Sequence, residues 1–185
     1  MKGGRDLINT NVVKKAIKGN EEAFEQLITL ESEKLYKTAF LYVRNKEDAL
    51  DVLQETVCKA FVGIQKLKEP KYFSTWLVRI LIRTAYEVLQ KKKKTVLTGE
   101  AFIHKLTEGT SHKPEEDLDL TNAISHLDPN YQTVIILFYF HDLSIKTIAE
   151  KMEKPEGTIK TYLHRAKIEL RNLLEGAESY GQKWV

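Results

Sequence analysis

Apolar residues recur at helical spacing along most of this chain, and this periodicity limits the folds it can adopt. The clearest example is the stretch KEDALDVLQETVCKAFVGI, in which one face is apolar or small: Ala49, Val52, Leu53, Thr56, Val57, Ala60, Phe61 and Ile64. Such spacing predicts an amphipathic helix with one buried face. Sustained alternation of apolar and polar residues, which is typical of strands, is hard to find. The sequence therefore predicts an all-α fold.

A break in this periodicity divides the chain into two parts. Helical patterns run to about residue 94, stop between residues 95 and 119, and resume at Leu120. The interrupted stretch contains Gly, Pro, Ser and Thr without a regular apolar stripe, which is typical of a flexible linker. We therefore predict two small helical domains, residues 1–94 and 120–185, joined by the linker 95–119. Asp128 followed by Pro129 predicts a helix start in the second domain.

The stretch DLSIKTIAEKMEKPEGTIKTYLHRAK holds two short helical patterns separated by a break around Pro155. Ser144 is predicted to cap the first helix and Thr158 to open the second, and Ala149 is small enough to let the two helices approach closely. This spacing is typical of a helix-turn-helix. Glu153 stands where glycine is frequent, directly after the first helix.

The second helix of this pair exposes polar and positive side chains, which we call the recognition face. It comprises Thr158, Lys160, Thr161, His164, Arg165 and Lys167. Lys and Arg neutralise DNA phosphates, and side chains near the helix N-terminus can reach base edges in the major groove. The alternative is an ordinary helical hairpin with a solvated basic surface. Turn spacing, the small packing residue and the charge together favour DNA binding.

The stretch KEDALDVLQETV also carries polar residues opposite its apolar side, and we call them the acidic face. They are spaced by three and four residues: Asp48, Asp51, Gln54 and Glu55. This face is either a solvated surface, in which Asp48 interacts with the helix dipole, or an interface to a basic partner. The residues themselves leave both interpretations open.

The segment KLKEPKYFSTWLVRILIR combines cations with aromatic rings. Its cations are Lys66, Lys68, Lys71, Arg79 and Arg83, and its rings are Tyr72, Phe73 and Trp76. Single-stranded DNA binding needs both, because cations contact phosphates and rings stack on bases. Phe73 and Trp76 are better interpreted as core residues, since aromatic residues at helical spacing usually pack inside.

Composition argues against several other classes of protein. Lys and Arg number 29 against 26 Asp and Glu, so any strongly basic surface must be local. The single cysteine, Cys58, excludes an intramolecular disulfide and a Cys-rich zinc site, and we expect it to be packed rather than reactive. Neither a signal peptide nor about 18 consecutive apolar residues is found, which predicts a cytoplasmic protein. GxxxxGK and HExxH are missing, so we expect no enzyme activity, cofactor, metal or small-molecule substrate.

Three motifs in order, KEDALDVLQETVCKAF, YFSTWLVRI and AISHLDPNYQTVIILFYFHDLSIKTIAEKMEKPEGTIKTYLHRAKIELRNLL, resemble the extracytoplasmic-function sigma factors, the smallest group of the bacterial sigma-70 family. The resemblance covers residues 23–174. It implies a first domain, sigma-2, that binds the clamp helices of RNA polymerase and opens the minus-10 element, and a second, sigma-4, that binds the minus-35 element. The acidic face would then bind polymerase, and the recognition face would bind minus-35 DNA.

The resemblance also implies roles within the cation-rich segment. The loop from Leu67 to Lys71 would capture a flipped base of the minus-10 non-template strand, while Arg79 and Arg83 would hold the backbone nearby. We call Lys66, Leu67, Lys68, Lys71, Tyr72, Arg79 and Arg83 the minus-10 segment. The chain departs from the family pattern at Leu50, where an acidic residue is frequent, at Arg83, where asparagine is, and at Asp128, where proline is. We therefore expect a less charged polymerase surface, and the family's minus-10 base preference is not carried over to this chain.

Core RNA polymerase and promoter DNA are the partners that the resemblance implies. Family members are commonly held inactive by a membrane-anchored anti-sigma factor, so such a partner is expected too, and acidic linker residues from Glu115 would mimic nucleic acid in a polymerase channel. The alternative is a stand-alone helix-turn-helix regulator that binds palindromic operator DNA as a dimer without polymerase. The acidic face and the lack of a long apolar dimerisation helix favour the sigma interpretation.

Overall fold

Regular structure in the first part of the chain is helical throughout the residues described. The computed structural model describes residues 9–97 and 120–181, with side chains for 9–92 and 120–175. Residues 9–97 contain four α-helices: α1 Thr10–Ile17, α2 Glu21–Val43, α3 Lys46–Gly63 and α4 Phe73–Leu97. Two short 3-10 turns, Ile64–Lys66 and Pro70–Tyr72, join α3 to α4.

The second part is also helical. Its elements are α5 Leu120–His126, α6 Pro129–Ile135, a π-helical turn Ile136–Phe140 that continues α6, α7 Ile145–Met152 and α8 Glu156–Gly181. The predicted all-α fold is thereby confirmed. None of the described helices has both the length and the apolar character that crossing a bilayer requires.

The described residues group into two compact units. The first takes residues up to Phe40 together with Asn45–Leu89, and the second takes Leu41–Arg44 and the residues from Gln90 onwards. Helix α4 continues three residues past the predicted domain end, to Leu97, and residues 98–119 of the predicted linker lie outside the described residues. The domain boundaries at 94 and 120 stay a prediction.

The core of the first unit comes from α2, α3 and α4. Its fully buried side chains include Leu27, Leu35, Val52, Phe73 and Leu77. Helix α3 starts where predicted, because the Asn45 side chain accepts a hydrogen bond from the Asp48 amide at 2.9 Å. Thr56 is buried in the core, and its hydroxyl is hydrogen-bonded because Oγ1 donates to the Val52 carbonyl at 2.6 Å.

Two residues of α3 are more exposed than the sequence analysis expected. The helical period placed Phe61 on the buried face, but this residue is 47% exposed. Its ring still contacts that of Phe24 edge-on, with centroids 5.3 Å apart. Cys58 is exposed rather than packed, so that expectation was wrong. The physical reason is helical geometry: Cys58 follows buried Thr56 by two residues, which turns it about 200° around the helix axis.

Helix α1 is a feature that the sequence analysis did not predict. Asn9 caps it by accepting a hydrogen bond from the Asn11 amide at 3.0 Å, and Gly19, with φ of 92°, ends the segment in a conformation that favours glycine. Val13 and Ala16 are buried where α1 contacts both 3-10 turns. Eight residues give a weak periodic signal, because helices this short are unstable by themselves and depend on packing.

Helices α6 and α7 of the second unit begin at the caps predicted from the sequence. The Asp128 side chain accepts a hydrogen bond from the Asn130 amide at 2.8 Å with Pro129 in the first turn, and Ser144 accepts from the Thr147 amide at 3.1 Å. Both predicted helix starts are confirmed. The core below them consists of aliphatic side chains, including Ile124, Val134, Ile136, Ile148 and Ile159.

The turn between α7 and α8 contains a residue in left-handed conformation. Glu153 has φ of 54° and ψ of 45°, and the following Lys154 amide donates to the Ala149 carbonyl at 3.0 Å. Helix α8 begins at Glu156, two residues before the predicted start at Thr158, because the Pro155 carbonyl already accepts from the Thr158 amide at 2.9 Å.

Replacing Glu153 with glycine is expected to stabilise the protein by about 0.5–1 kcal/mol. The left-handed conformation costs an L-residue about 1–2 kcal/mol and glycine almost nothing, although glycine also makes the unfolded chain more flexible. Urea denaturation measures the change. As the matched control, Glu150→Gly lies within α7 and should destabilise by about 1 kcal/mol. A loss of stability in Glu153→Gly would contradict the strain assigned to this turn.

Candidate functional site

The recognition face lies along the outer side of α8. Five of its residues are exposed and Thr158, in the first turn of the helix, is half-buried: Thr158, Lys160, Thr161, His164, Arg165 and Lys167. The opposite side of α8 is buried through Ile159, Leu163, Ala166 and Leu170. The helix thus presents its cations and polar groups to solvent on one side, as its apolar period requires.

Aromatic rings lie beside several cations of this region. The ammonium of Lys167 is 5.5 Å from the centre of the Tyr139 ring, and that of Lys154 is 5.9 Å from the Tyr162 ring. The proximity of Tyr131, and to a smaller extent that of Tyr162, raises the pKa of Arg165 above its ordinary value. Tyr131 belongs to α6, so no pattern within α8 could have indicated it.

The acidic face is carried by α3 and is largely accessible. Asp51, Gln54 and Glu55 are exposed, and Asp48 is half-buried. Two apolar side chains of α3 are also exposed. Leu50, between Asp48 and Asp51 in sequence, is 55% exposed, and Val62, two turns after Glu55, is 78% exposed. The surface is therefore a mixture of acidic and apolar groups rather than a purely charged one.

One charge of the acidic face is partly offset within the fold. The Glu55 carboxylate lies 3.4 Å from the ammonium of Lys59, which also contacts Glu87 of α4 at 2.7 Å and the Thr84 hydroxyl at 3.3 Å. These carboxylates, with Glu87 foremost, raise the pKa of Lys59. Sequence spacing could suggest the pair of Glu55 and Lys59, but the contact to Glu87 depends on how α3 packs against α4.

The minus-10 segment spans the two 3-10 turns and the start of α4. Its cations and its ring are exposed and Leu67 is half-buried: Lys66, Leu67, Lys68, Lys71, Tyr72, Arg79 and Arg83. The Lys71 ammonium lies 4.9 Å from the centre of the Tyr72 ring. Arg79 and Arg83 are four residues apart on α4 and so share one side of that helix. The segment joins positive charge to an accessible aromatic surface.

The neighbouring aromatic residues are structural, as the sequence analysis interpreted them. Phe73 is 1% exposed, and its ring centroid lies 6.0 Å from that of the half-buried Trp76. Trp76 packs against the end of α3, where a Cβ on Gly63 would come within 3.3 Å of its ring. Helix α1 contacts both 3-10 turns from the other direction and thereby supports the loop between them.

Two family models match the chain in the same order as these surfaces. The model described as Sigma-70 region 2 matches residues 27–95, which contain the acidic face and the minus-10 segment. The model described as Sigma-70, region 4 matches residues 117–170, which contain the recognition face. Together they cover more than half of the chain.

Relatives of similar length carry the same family name. The RNA polymerase sigma factor SigV of Bacillus subtilis is 37% identical over 139 residues, covering 75% of this chain and 83% of SigV. The ECF RNA polymerase sigma factor SigW of the same organism is 30% identical over 176 residues, covering 88% of this chain and 94% of SigW.

Solved structures show the same fold. CnrH, in complex with the cytosolic domain of CnrY, aligns with a TM-score of 0.67 at 19% identity, over 91% of this chain and 98% of CnrH. RpoE from Bartonella quintana, in complex with the anti-sigma factor NepR, aligns with a TM-score of 0.65 at 23% identity, over 82% and 96%. These comparisons confirm the predicted resemblance and favour the sigma-factor interpretation over that of a stand-alone regulator. The chain belongs to the extracytoplasmic-function sigma factors of the sigma-70 family.

Proposed function

We propose that this sigma factor binds core RNA polymerase through the acidic face and positions it on promoters through two separate DNA contacts. The observation that carries this proposal is the placement of the surfaces: the acidic face and the minus-10 segment lie within the region 2 match, and the recognition face lies within the region 4 match. An acidic surface suits a basic partner, because complementary charge speeds encounter and sets register.

The minus-10 segment is proposed to hold the non-template strand of the opened promoter. Exposed Tyr72 offers a ring on which an unstacked base can lie, and Lys71 beside it offers charge for the phosphates. Arg79 and Arg83 would contact the backbone along α4. Because α1 contacts the 3-10 turns on both sides of this loop, the loop can present a fixed surface to a flipped base.

The recognition face is proposed to enter the major groove of the minus-35 element. Lys160, Thr161 and His164 lie within the first half of α8, where side chains of a recognition helix reach base edges. The Thr161 hydroxyl donates to the Gly157 carbonyl at 2.9 Å, so its oxygen is oriented and free to accept from a base amino group. Arg165 and Lys167 would bind phosphates or bases further along.

An anti-sigma factor, anchored in the membrane, is the further partner that we propose. The two solved structures compared above are complexes, CnrH with the cytosolic domain of CnrY and RpoE with the anti-sigma factor NepR. The mixed apolar and acidic surface of α3 is suited to such a partner as well as to polymerase. We also propose that the protein acts in the cytoplasm, where core polymerase and chromosomal promoters are found.

Run-off transcription on a genomic fragment library tests the proposed function directly. Core bacterial RNA polymerase is assayed with and without the purified chain, and new start sites are expected only when the chain is present. Aligning those starts would reveal both promoter elements. Retention of DNA by the chain alone, with no new starts, would instead favour a stand-alone regulator of operator DNA.

Reversing charge on the acidic face is expected to weaken polymerase binding. The double change Asp51→Lys and Glu55→Lys places cations against a basic partner, and we expect an affinity for core enzyme lower by about ten-fold or more, mainly through slower association. Fluorescence titration and stopped-flow mixing measure the two quantities. Circular dichroism should be unchanged, since both side chains are exposed.

The matched control for this change is Glu25→Lys. Glu25 is an exposed carboxylate on α2 that precedes the region 2 match, so its reversal alters net charge without touching the acidic face. It should leave core affinity within about two-fold. Because Glu25→Lys reverses one charge and the double variant reverses two, a loss of binding free energy in the control half as large as that in the double variant would point to a general effect of net charge and would remove the acidic face from the interface.

A further inference from the structure

Helix α1 carries lysines to which the proposed function gives no role. Lys14, Lys15 and Lys18, the last at the helix C-cap, are exposed, while Val13 and Ala16 are buried. Successive residues of an α-helix are turned by about 100°, so the three lysines point away from the buried pair and lie on one side of the segment. We call these three residues the lysine face of α1.

The charge of the lysine face is not offset by neighbouring carboxylates. Helix α1 itself contains no acidic residue. Among the residues whose side chains the structure describes, no ion pair engages these ammonium groups, whereas Lys37 and Lys59 both pair with carboxylates. Glu21 and Glu22 follow in the first turn of α2, where they favour the positive end of that helix. The lysine face is therefore available to an anionic partner.

The lysine face lies beside the minus-10 segment. Helix α1 contacts both 3-10 turns, which carry Lys66 and Lys71. Gly19, directly after Lys18, adjoins Gln65, directly before Lys66, since a Cβ on Gly19 would lie 3.9 Å from Gln65 Nε2. Gly19 and Gln65 are both exposed. The accessible surface therefore continues from the end of α1 to the minus-10 segment.

Backbone hydrogen bonds fix the end of α1. The Gly19 amide donates to the Ala16 carbonyl at 2.9 Å, and the Asn20 amide donates to the Lys15 carbonyl at 3.1 Å. The Asn20 side chain then accepts from the Ala23 amide at 2.7 Å, within the first turn of α2. The backbone that carries these cations is thus ordered before any ligand binds, which lowers the entropic cost of binding.

We propose that the lysine face of α1 binds the sugar-phosphate backbone of promoter DNA beside the minus-10 element, and so extends the DNA surface of the first unit. DNA presents closely spaced phosphates, and ammonium groups neutralise them without reading base sequence. The proposal rests on the proposed contact of the minus-10 segment with the opened strand. Helix α1 precedes the region 2 match at residues 27–95, so that match assigns it no contact.

The test combines Lys14→Gln with Lys18→Gln in the full chain, assembled with core polymerase. Promoter binding by this holoenzyme is measured over a range of salt concentrations. The plot of log affinity against log salt concentration should become shallower by about two, one for each lost phosphate contact, and affinity at low salt should fall by about ten-fold or more. Circular dichroism should be unchanged, because both side chains are exposed.

Two double variants serve as controls. Lys34→Gln with Lys37→Gln removes the same charge from exposed positions of α2, and it should change the salt dependence by less than about half of one counterion. Lys14→Arg with Lys18→Arg keeps the charge of the lysine face and should keep the salt dependence of the unchanged chain. An equal loss in the Arg and Gln variants overturns the proposal, because the effect then does not follow charge.

A photo-cross-link observes the contact directly. With p-benzoylphenylalanine in place of Lys18, the holoenzyme should cross-link to promoter DNA next to the minus-10 element, and with the same group in place of Lys34 it should not. No cross-link to DNA from the first position overturns the proposal, whatever the glutamine variants do.

The outcomes separate this proposal from the one it rests on. The pair Lys66→Gln and Lys71→Gln tests the minus-10 segment in the same salt titration. If that pair makes the slope shallower and the lysine-face pair does not, the lysine face alone is overturned. If neither pair changes the slope, both proposed contacts fail. A lower affinity for core polymerase with an unchanged slope on promoter DNA would assign the lysine face to polymerase and overturn its DNA contact.

Discussion

Replacing Phe73 with alanine is expected to destabilise the first unit by about 3–5 kcal/mol, the usual cost of removing a buried phenyl ring. The ring is 1% exposed and stands at the start of α4, where it also contacts Trp76. Its loss leaves a cavity that the surrounding helices can fill only in part. Urea denaturation followed by circular dichroism measures the change.

Tyr72, the neighbouring residue, is the matched control. Its ring is 46% exposed, so Tyr72→Ala should change stability by less than about 1 kcal/mol while it impairs promoter opening. Permanganate footprinting of the minus-10 element measures the opening. Similar destabilisation by both substitutions would contradict the division of this aromatic pair into a core residue and a DNA-binding residue.

Replacing Arg165 with alanine is expected to lower minus-35-dependent transcription by about 10- to 100-fold, the range for losing an arginine that contacts a base or phosphate. The side chain is exposed, so the fold should be retained. If the lost contact is with a phosphate, the salt dependence of promoter binding by the holoenzyme should become shallower by about one counterion.

Arg171→Ala provides the comparison for this prediction. Arg171 is also an exposed arginine of α8, but it lies further from the helix N-terminus and outside the recognition face. Its removal should change transcription by no more than about three-fold. If the two substitutions reduce transcription equally, the recognition face extends along the helix and the assignment of Arg165 loses its specificity.

Helix types and several helix ends could be predicted from local sequence because their causes are local. The Asp128 and Ser144 caps use a side chain and an amide only two or three residues away, and both were found where expected. The buried positions of α8, from Ile159 to Leu170, follow from the 3.6-residue period. The left-handed conformation of Glu153 was not predicted, although the sequence showed that this residue stands where glycine is frequent.

Contacts between helices could not be predicted in the same way. The spacing of α3 did not show that Lys59, the cation that partly offsets Glu55, also reaches Glu87 of α4. Helix α1 was missed because it is short and depends on packing against the two 3-10 turns. Phe61 was placed on the buried face but lies at its edge.

The sequence by itself determined the helical fold, the order of the two sigma regions and the side chains that each proposed surface presents. These depend on periodicity, capping and motif order, which are properties of residues close together in the chain. The tertiary structure decided which side chains beside those surfaces are held and by what: Lys59 by Glu87, Trp76 against Gly63, and Tyr162 by Tyr131. Such contacts join residues distant in sequence, and their geometry exists only once the helices have packed.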